Sequence, residues 1–195
     1  MLSDYTEDPL VRLLVDKTRR RETHGSSLAA AHRDIGRILA RDVARCLELE
    51  ECAIEHVTGA QKGVRVSDQS QPSILAILRA GLFLAEGVWE AIPSAALVPW
   101  SPKHQEMPNL PNRPVVLVDS VINTGHSMKQ AMDALRAQGH DRIVVVTLVA
   151  HRPTMEALVE SAPDVSFVVA RLSERSYVGQ GSTDTGARLF GTTEW

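Results

Sequence analysis

Apolar residues in this chain fall into two patterns. Continuous apolar blocks occupy residues 73–78, 115–118, 142–149 and 165–170, and blocks of that length read as strands buried on both faces. A shorter block at 95–98 suggests one more parallel strand. Between them the apolar positions return at helical spacing. Leu28, Ala31, Ile35, Ile38, Leu39, Val43 and Leu47 predict the longest helix, over 27–49, with Ser26 or Ser27 able to cap its start. Met128, Ala131, Met132 and Leu135 mark one face of a helix over 128–138, and further helices are expected over 82–91 and 151–161. Strands alternating with helices predict an α/β fold: a doubly wound, mainly parallel sheet flanked by helices, with ligands at the carboxyl ends of the strands. Residues 52–57 suggest a strand leading into a hairpin or exposed excursion around Thr58-Gly59 and Lys62-Gly63. Pro99, Pro102, Pro108, Pro111 and Pro114, mixed with Lys103, His104, Asn109 and Asn112, mark a long loop of the kind that covers a sheet edge. No repeat or clear linker interrupts the pattern. Residues 1–195 read as one domain, with a helical segment over about 8–50 and a C-terminal loop over about 171–195.

Two of the predicted strands end in charge. Val115-Val116-Leu117-Val118 ends at Asp119, and Ser120-Val121-Ile122-Asn123-Thr124-Gly125-His126-Ser127 then leads into a helix. Hydroxyls and a glycine at a helix entrance offer backbone N–H groups, side-chain donors and a favourable dipole to a phosphate. No Lys follows Gly125, so the stretch is not a GxxxxGK[ST] nucleotide loop. The run 73–78 stops at Arg79-Ala80-Gly81. An Arg at a buried strand's end, followed by small residues, suits a diphosphate, although an isolated Arg more often pairs at the surface. Residues 176–191 are rich in glycine and hydroxyls, but Val178, Leu189 and Phe190 argue for a docked segment rather than a free tail.

Composition narrows the function classes. A net charge of −3 argues against a broad nucleic-acid footprint, the basic run at Lys17 to Arg21 notwithstanding. Cys46 and Cys52 lack metal-ligand spacing and read as buried thiols in a reducing compartment. Residues 1–6 are acidic and polar, unlike a secretion signal, and no apolar run reaches membrane-spanning length, so the cytoplasm is expected.

The 119–127 arrangement is similar to the phosphoribosyl diphosphate (PRPP) signature of type I phosphoribosyltransferases. Taken with Asp8-Pro9-Leu10-Val11, Ile77-Leu78-Arg79-Ala80-Gly81-Leu82 and Tyr177…Gly181…Asp184…Gly186…Arg188-Leu189-Phe190-Gly191, it resembles the uracil phosphoribosyltransferase family almost end to end, from about residue 8 to 192. The resemblance implies transfer of 5-phosphoribose from PRPP to N1 of uracil, giving UMP and diphosphate. It further implies Mg²⁺ carried by PRPP rather than by direct protein ligands, and a homodimer or higher homo-oligomer. Carried across by position, Arg79, Asp119 and Asp184 are the candidate catalytic residues. Arg79 would meet the diphosphate and Asp119 the ribose hydroxyls, while Ser120, Asn123, Thr124, Gly125, His126 and Ser127 would contact the phosphoribosyl group. Lys103 would stand in for a second basic residue at the diphosphate, and Asp184 would also lie near PRPP. Tyr177, Val178, Thr183, Asp184 and Thr185 would line the base pocket.

The chain also departs from that family's pattern. Ser120, Asn123 and His126 replace Pro, Ala and a second Gly in the signature; the segment 98–113 is shorter; Thr183 and Ala187 replace Gly and Asp near the base. Two alternatives follow: a phosphoribosyltransferase for another heterocyclic base, or a catalytically weak PRPP- or nucleotide-sensing regulator. Retention of Arg79, Asp119, Thr124 and Asp184 favours catalysis.

Overall fold

A computed structural model describes residues 1–194. Its centre is a six-stranded sheet in which every neighbouring pair is parallel. The strands are β1 (Leu2–Asp4), β4 (Ser73–Ile77), β5 (Ala96–Trp100), β6 (Val115–Ile122), β7 (Ile143–His151) and β8 (Ser166–Ser173), in the order β1-β8-β7-β6-β4-β5. Two further strands, β2 (Leu49–His56) and β3 (Gly59–Val66), pair only with each other as an antiparallel hairpin. The helices are α1 (Pro9–Arg19), α2 (Gly25–Ala44), α3 (Leu82–Ala91), α4 (His126–Ala137), α5 (Arg152–Ser161) and α6 (Thr185–Phe190).

Strand alternation divides the core into two layers. Leu75, Ile77, Val115, Leu117, Val145, Phe167 and Val169 point to one face, where Met128, Met132 and Leu135 of α4 and Met155 and Leu158 of α5 cover them. Ile74, Ala76, Val116, Val118, Val144, Val146 and Val168 point to the other, under Val11, Ile35, Leu39, Val43, Leu84 and Val88 of α1, α2 and α3. Because side chains alternate along a strand, a continuous apolar run is what two covered faces require. No helix among the described residues is long and apolar enough to cross a membrane.

The chain winds from β4 outward to β5, then returns across β4 to lay down β6, β7 and β8 on the other side. The winding therefore reverses between β4 and β6, and the loops after these two strands face a common crevice. Arg79 follows one strand and 119–127 ends the other.

Several elements differ from the sequence expectation. The long helix closes at Ala44 rather than 49, because the chain from Leu49 is drawn into the hairpin; Leu47 still packs into the core from beyond the helix. The strand at 95–98 runs on to Trp100 through Pro99, which an edge strand tolerates. β6 continues three residues past Asp119, and α4 begins two residues early, at His126. Cys46 and Cys52 are free thiols, but neither is buried as expected: one sits just after α2 and the other on the exposed hairpin.

Candidate active site

The site is assembled from three loops at the carboxyl edge of the sheet. The first joins β4 to α3. Leu78 donates its N–H to the Trp100 carbonyl at 2.7 Å, which seats the loop against β5, and the Leu78–Arg79 peptide is cis. Gly81 closes the turn where a Cβ would stand 2.5 Å from the Val118 carbonyl and 3.1 Å from the Asp119 Cα. No larger residue fits without moving backbone, so the glycine is what brings this loop against β6.

The second loop ends β6. The Ser120 side chain is buried, and its hydroxyl donates to the Ala80 carbonyl at 2.7 Å, fastening the second loop to the first. Asp119, on the opposite side of the strand, is partly exposed at the crevice. Burial pushes its carboxyl up to about 7, and the Ser120 and Val121 amides that donate to it pull the other way. Gly125 takes the left-handed conformation (φ 73°) that turns the chain into α4. Thr124, His126 and Ser127 are exposed around that helix start, with the His126 amide 3.5 Å from the Thr124 hydroxyl. An open cleft of ≈ 540 Å³ separates Thr124, Gly125, His126 and Lys129 from Thr154, Leu158 and Ser161 on the α5 side.

The third loop runs from β8 to α6. Asp184 caps α6 by accepting the Ala187 amide at 2.7 Å, and its other contact is with Arg79, at 3.7 Å. Arg79 also donates to the Thr192 hydroxyl at 3.3 Å and lies 6.0 Å from the Phe190 ring centroid. Arg188 holds this segment to the N-terminal helices: its guanidinium donates to the carbonyls of Thr18, Arg20 and Thr23 at 3.1, 2.9 and 2.7 Å. Leu189 is buried with Leu28 and Ala29, and Phe190 packs on Phe83 at a ring separation of 5.1 Å. The segment is thus docked as expected through Leu189 and Phe190, whereas Val178, expected to help dock it, is exposed.

The structure accordingly brings Arg79, Asp184 and the backbone around Asp119 together. Thr185 begins α6 beside Asp184. Asn123 meets Tyr177 rather than open crevice, its side chain bonding both backbone polar groups of that residue. The Tyr177 hydroxyl donates in turn to the Thr183 carbonyl. Val178 is exposed on the same loop. Lys103 is exposed on the loop leaving β5 next to Leu78 and makes no ion pair among the described residues. Thr192, Phe190 and the clamp formed by Arg188 were not singled out from sequence as contacts of the site. Their partners lie far away along the chain and leave no local signal.

Comparison with known proteins shows the family and the fold. The family model described as uracil phosphoribosyltransferase matches residues 5–192. A uracil phosphoribosyltransferase of Wolinella succinogenes is 30% identical over 94% of this chain and 96% of its own length. One of Enterococcus faecalis is 31% identical over 95% and 96%. Among solved structures, the AQ2163 protein of Aquifex aeolicus superposes over 100% of both chains with a TM-score of 0.81 at 20% identity. A phosphoribosyltransferase of Corynebacterium diphtheriae matches 84% of this chain and 96% of its own at 0.51 and 18%. At these identities the two structures speak for the fold.

Proposed function

We propose that this chain, which belongs to the uracil phosphoribosyltransferase family, transfers the 5-phosphoribosyl group of PRPP to N1 of uracil, releasing diphosphate and UMP. The observation that carries the reading is the Arg79–Asp184 contact on the loop that Gly81 seats against the backbone of Val118 and Asp119, at the switch between β4 and β6 and beside a helix start rich in hydroxyls. In this reaction the bond from ribose C1′ to the diphosphate oxygen breaks and a bond from C1′ to N1 forms. The N1 proton leaves to solvent or to the departing diphosphate, and no side chain is named as its base. Positive charge grows on the sugar while negative charge grows on the leaving group.

Each group has a task in that scheme. Arg79, exposed at the crevice, neutralises the leaving diphosphate. Lys103 approaches the same group from the β5 loop. Asp119 accepts from the ribose hydroxyls, and its raised pKa makes that task pH-dependent near neutrality. Thr124, Gly125, His126 and Ser127 hold the 5′-phosphate at the start of α4. Tyr177, Val178, Thr183 and Thr185 border the base, with Asp184 between base and PRPP. Ser120 serves from below, by holding the Ala80 carbonyl.

PRPP is expected to bring Mg²⁺ to this site. No three His, Cys, Asp or Glu side chains gather to hold an ion among the described residues. Of the two carboxylates at the crevice, Asp184 already faces Arg79 and Asp119 is the other, so the oxygens of PRPP would supply most of the coordination. Bound in that way, the ion would share with Arg79 the charge of the leaving group. A cytoplasmic location suits this metabolic role, and the apolar side chains left exposed on the hairpin, Leu49, Ile54, Val57 and Val64, support association with a second copy.

Thermal unfolding with ligands tests the assignment. A ligand at 100 times its Kd stabilises by about 2.7 kcal/mol, or about 5–10 °C for a chain of this size. PRPP with Mg²⁺, and UMP alone, are expected to raise Tm by that amount and IMP to leave it unchanged. A larger shift with IMP would move the substrate to a purine, and no shift with PRPP or UMP would remove the reading.

A further inference from the structure

Among the contacts at the crevice, one links segments that the reaction scheme leaves independent. Asn123, the first residue past β6, uses both ends of its carboxamide on Tyr177. Its Oδ1 accepts the Tyr177 N–H at 2.9 Å, and its Nδ2 donates to the Tyr177 carbonyl. A primary amide facing a single residue's backbone in this way pairs as a neighbouring strand would, satisfying donor and acceptor together. The contact does not stand alone. From Tyr177 the hydroxyl reaches the Thr183 carbonyl; Asp184 follows and meets Arg79 at 3.7 Å; Ala80, next to Arg79, accepts from Ser120; and Ser120 returns along β6 to Asn123. The ring passes through all three loops. Within it the third loop is folded tightly, since a Cβ on Gly179 would stand 2.6 Å from the Thr183 carbonyl.

We propose that Asn123 is a positioning residue which sets the base-binding segment 177–184 from the phosphate-binding loop, so that the grip on the phosphoribosyl group and the shape of the base pocket are coupled. This rests on the reading of the site given above. The geometry supports it in two ways. Asn123 is adjacent to Thr124, at the start of the stretch that holds the 5′-phosphate, so ordering that loop orders the carboxamide. Its partner, Tyr177, opens the segment that borders the base. The loop's other anchors lie outside 177–183: Glu174 pairs with Arg152 before it, and Asp184 and Thr192 on Arg79, Arg188 on the N-terminal helices, the buried Leu189 and Phe190 on Phe83 come at its far end. On the Tyr177 side, the bond to Asn123 ties the segment to the phosphate-binding loop. The uracil family signature carries Ala where this chain has Asn123, and Ala has no side-chain donor or acceptor for such a pairing.

The test combines a measurement that needs no substrate with one that does. Hydrogen exchange is followed in ligand-free wild type and Asn123→Ala. Loss of two hydrogen bonds of ordinary strength is expected to speed exchange of the Tyr177 amide by about tenfold, while amides of β6 and β7 keep their rates. Unchanged exchange at Tyr177 overturns the proposal. With PRPP and uracil, the same substitution is expected to raise KM for uracil by about tenfold and leave KM for PRPP within about twofold. Asn123→Asp, which keeps the acceptor for the Tyr177 N–H and loses the donor, is expected to fall between the two. A rise in KM for PRPP with KM for uracil unchanged overturns the proposal and makes Asn123 a PRPP ligand. Absence of uracil turnover in wild type would count against the reaction assigned above, and the exchange result would still decide whether Asn123 holds the loop.

Discussion

Replacing Asp119 by Asn separates what the residue does for the ligand from what it costs the fold. Burial raises the Asp119 carboxyl from 3.8 to about 7, so between these values the native state holds a proton that the unfolded chain has released. Stability through this group therefore falls as pH rises from about 4 to about 7, and stays low above that. The difference of about 3 pKa units corresponds to a ceiling of about 4 kcal/mol at 1.36 kcal/mol per unit. Partial exposure at the crevice and the two amides directed at the carboxylate reduce it, and about 2 kcal/mol is expected. Asn preserves an acceptor for those amides and carries no charge. Asp119→Asn should accordingly melt about 4–8 °C above wild type at pH 8, with the gap narrowing through pH 6 and closing near pH 4. In the same preparation, affinity for PRPP should fall at least about tenfold, as a charge-assisted acceptor for the ribose hydroxyls is lost. The assay is thermal unfolding of both proteins across that pH range, with PRPP titrations at pH 8. A variant less stable than wild type at pH 8, or a gap independent of pH, would refute the electrostatic argument. Unchanged PRPP affinity would refute the role at the ribose.

Other substitutions probe the remaining parts. Arg79→Ala should lower kcat/KM for PRPP by about 2–4 kcal/mol in transition-state terms if the guanidinium neutralises the leaving diphosphate, and an unchanged value in steady-state kinetics would remove that role. Arg188→Ala strips donors from three backbone carbonyls and should cost about 1–3 kcal/mol in denaturant unfolding; a loss below about 0.5 kcal/mol would mean that Leu189 and Phe190 dock the segment unaided. His32 is buried with its Nδ1 2.9 Å from the Leu28 carbonyl and its Nε2 without a partner among the described residues, and burial lowers its pKa to about 4. Protonation is thus resisted in the native state, and stability is lost as pH falls from 6.5 towards 4, by up to about 3 kcal/mol. His32→Leu should flatten that acid limb, and an identical pH profile for the variant would contradict it.

The parts of the molecule that were legible in the sequence are those that burial dictates locally. Val115 to Val118 had to be covered on both faces, and a charge at the end of such a run had to sit at the sheet's edge. The same logic found Arg79. What the pattern did not reveal depends on partners distant in sequence or on elements too short to carry a period. β1 is three residues long and is defined only by its pairing with β8. The first turn of α4 is polar and solvent-facing, so apolar spacing begins only at Met128. The helix at 27–49 looked longer than it is because Leu47 is buried for a reason other than helical phase. At the site, the residue types of 119–127 suggested phosphate chemistry, but nothing local distinguished Ser120, whose hydroxyl faces inward to Ala80, from Thr124, which faces out. The pairing of Asn123 with Tyr177 and of Arg188 with the carbonyls of Thr18, Arg20 and Thr23 arises from the way the fold closes.

The most direct measurement of the central claim is the initial rate of UMP formation and of diphosphate release from PRPP and Mg²⁺, with uracil, with cytosine, hypoxanthine and adenine in turn, and with no base. Uracil alone is expected to support rapid release, with UMP and diphosphate appearing one for one and a negligible rate without base. Release that is equally fast without a base, or turnover with another base and none with uracil, would contradict that claim.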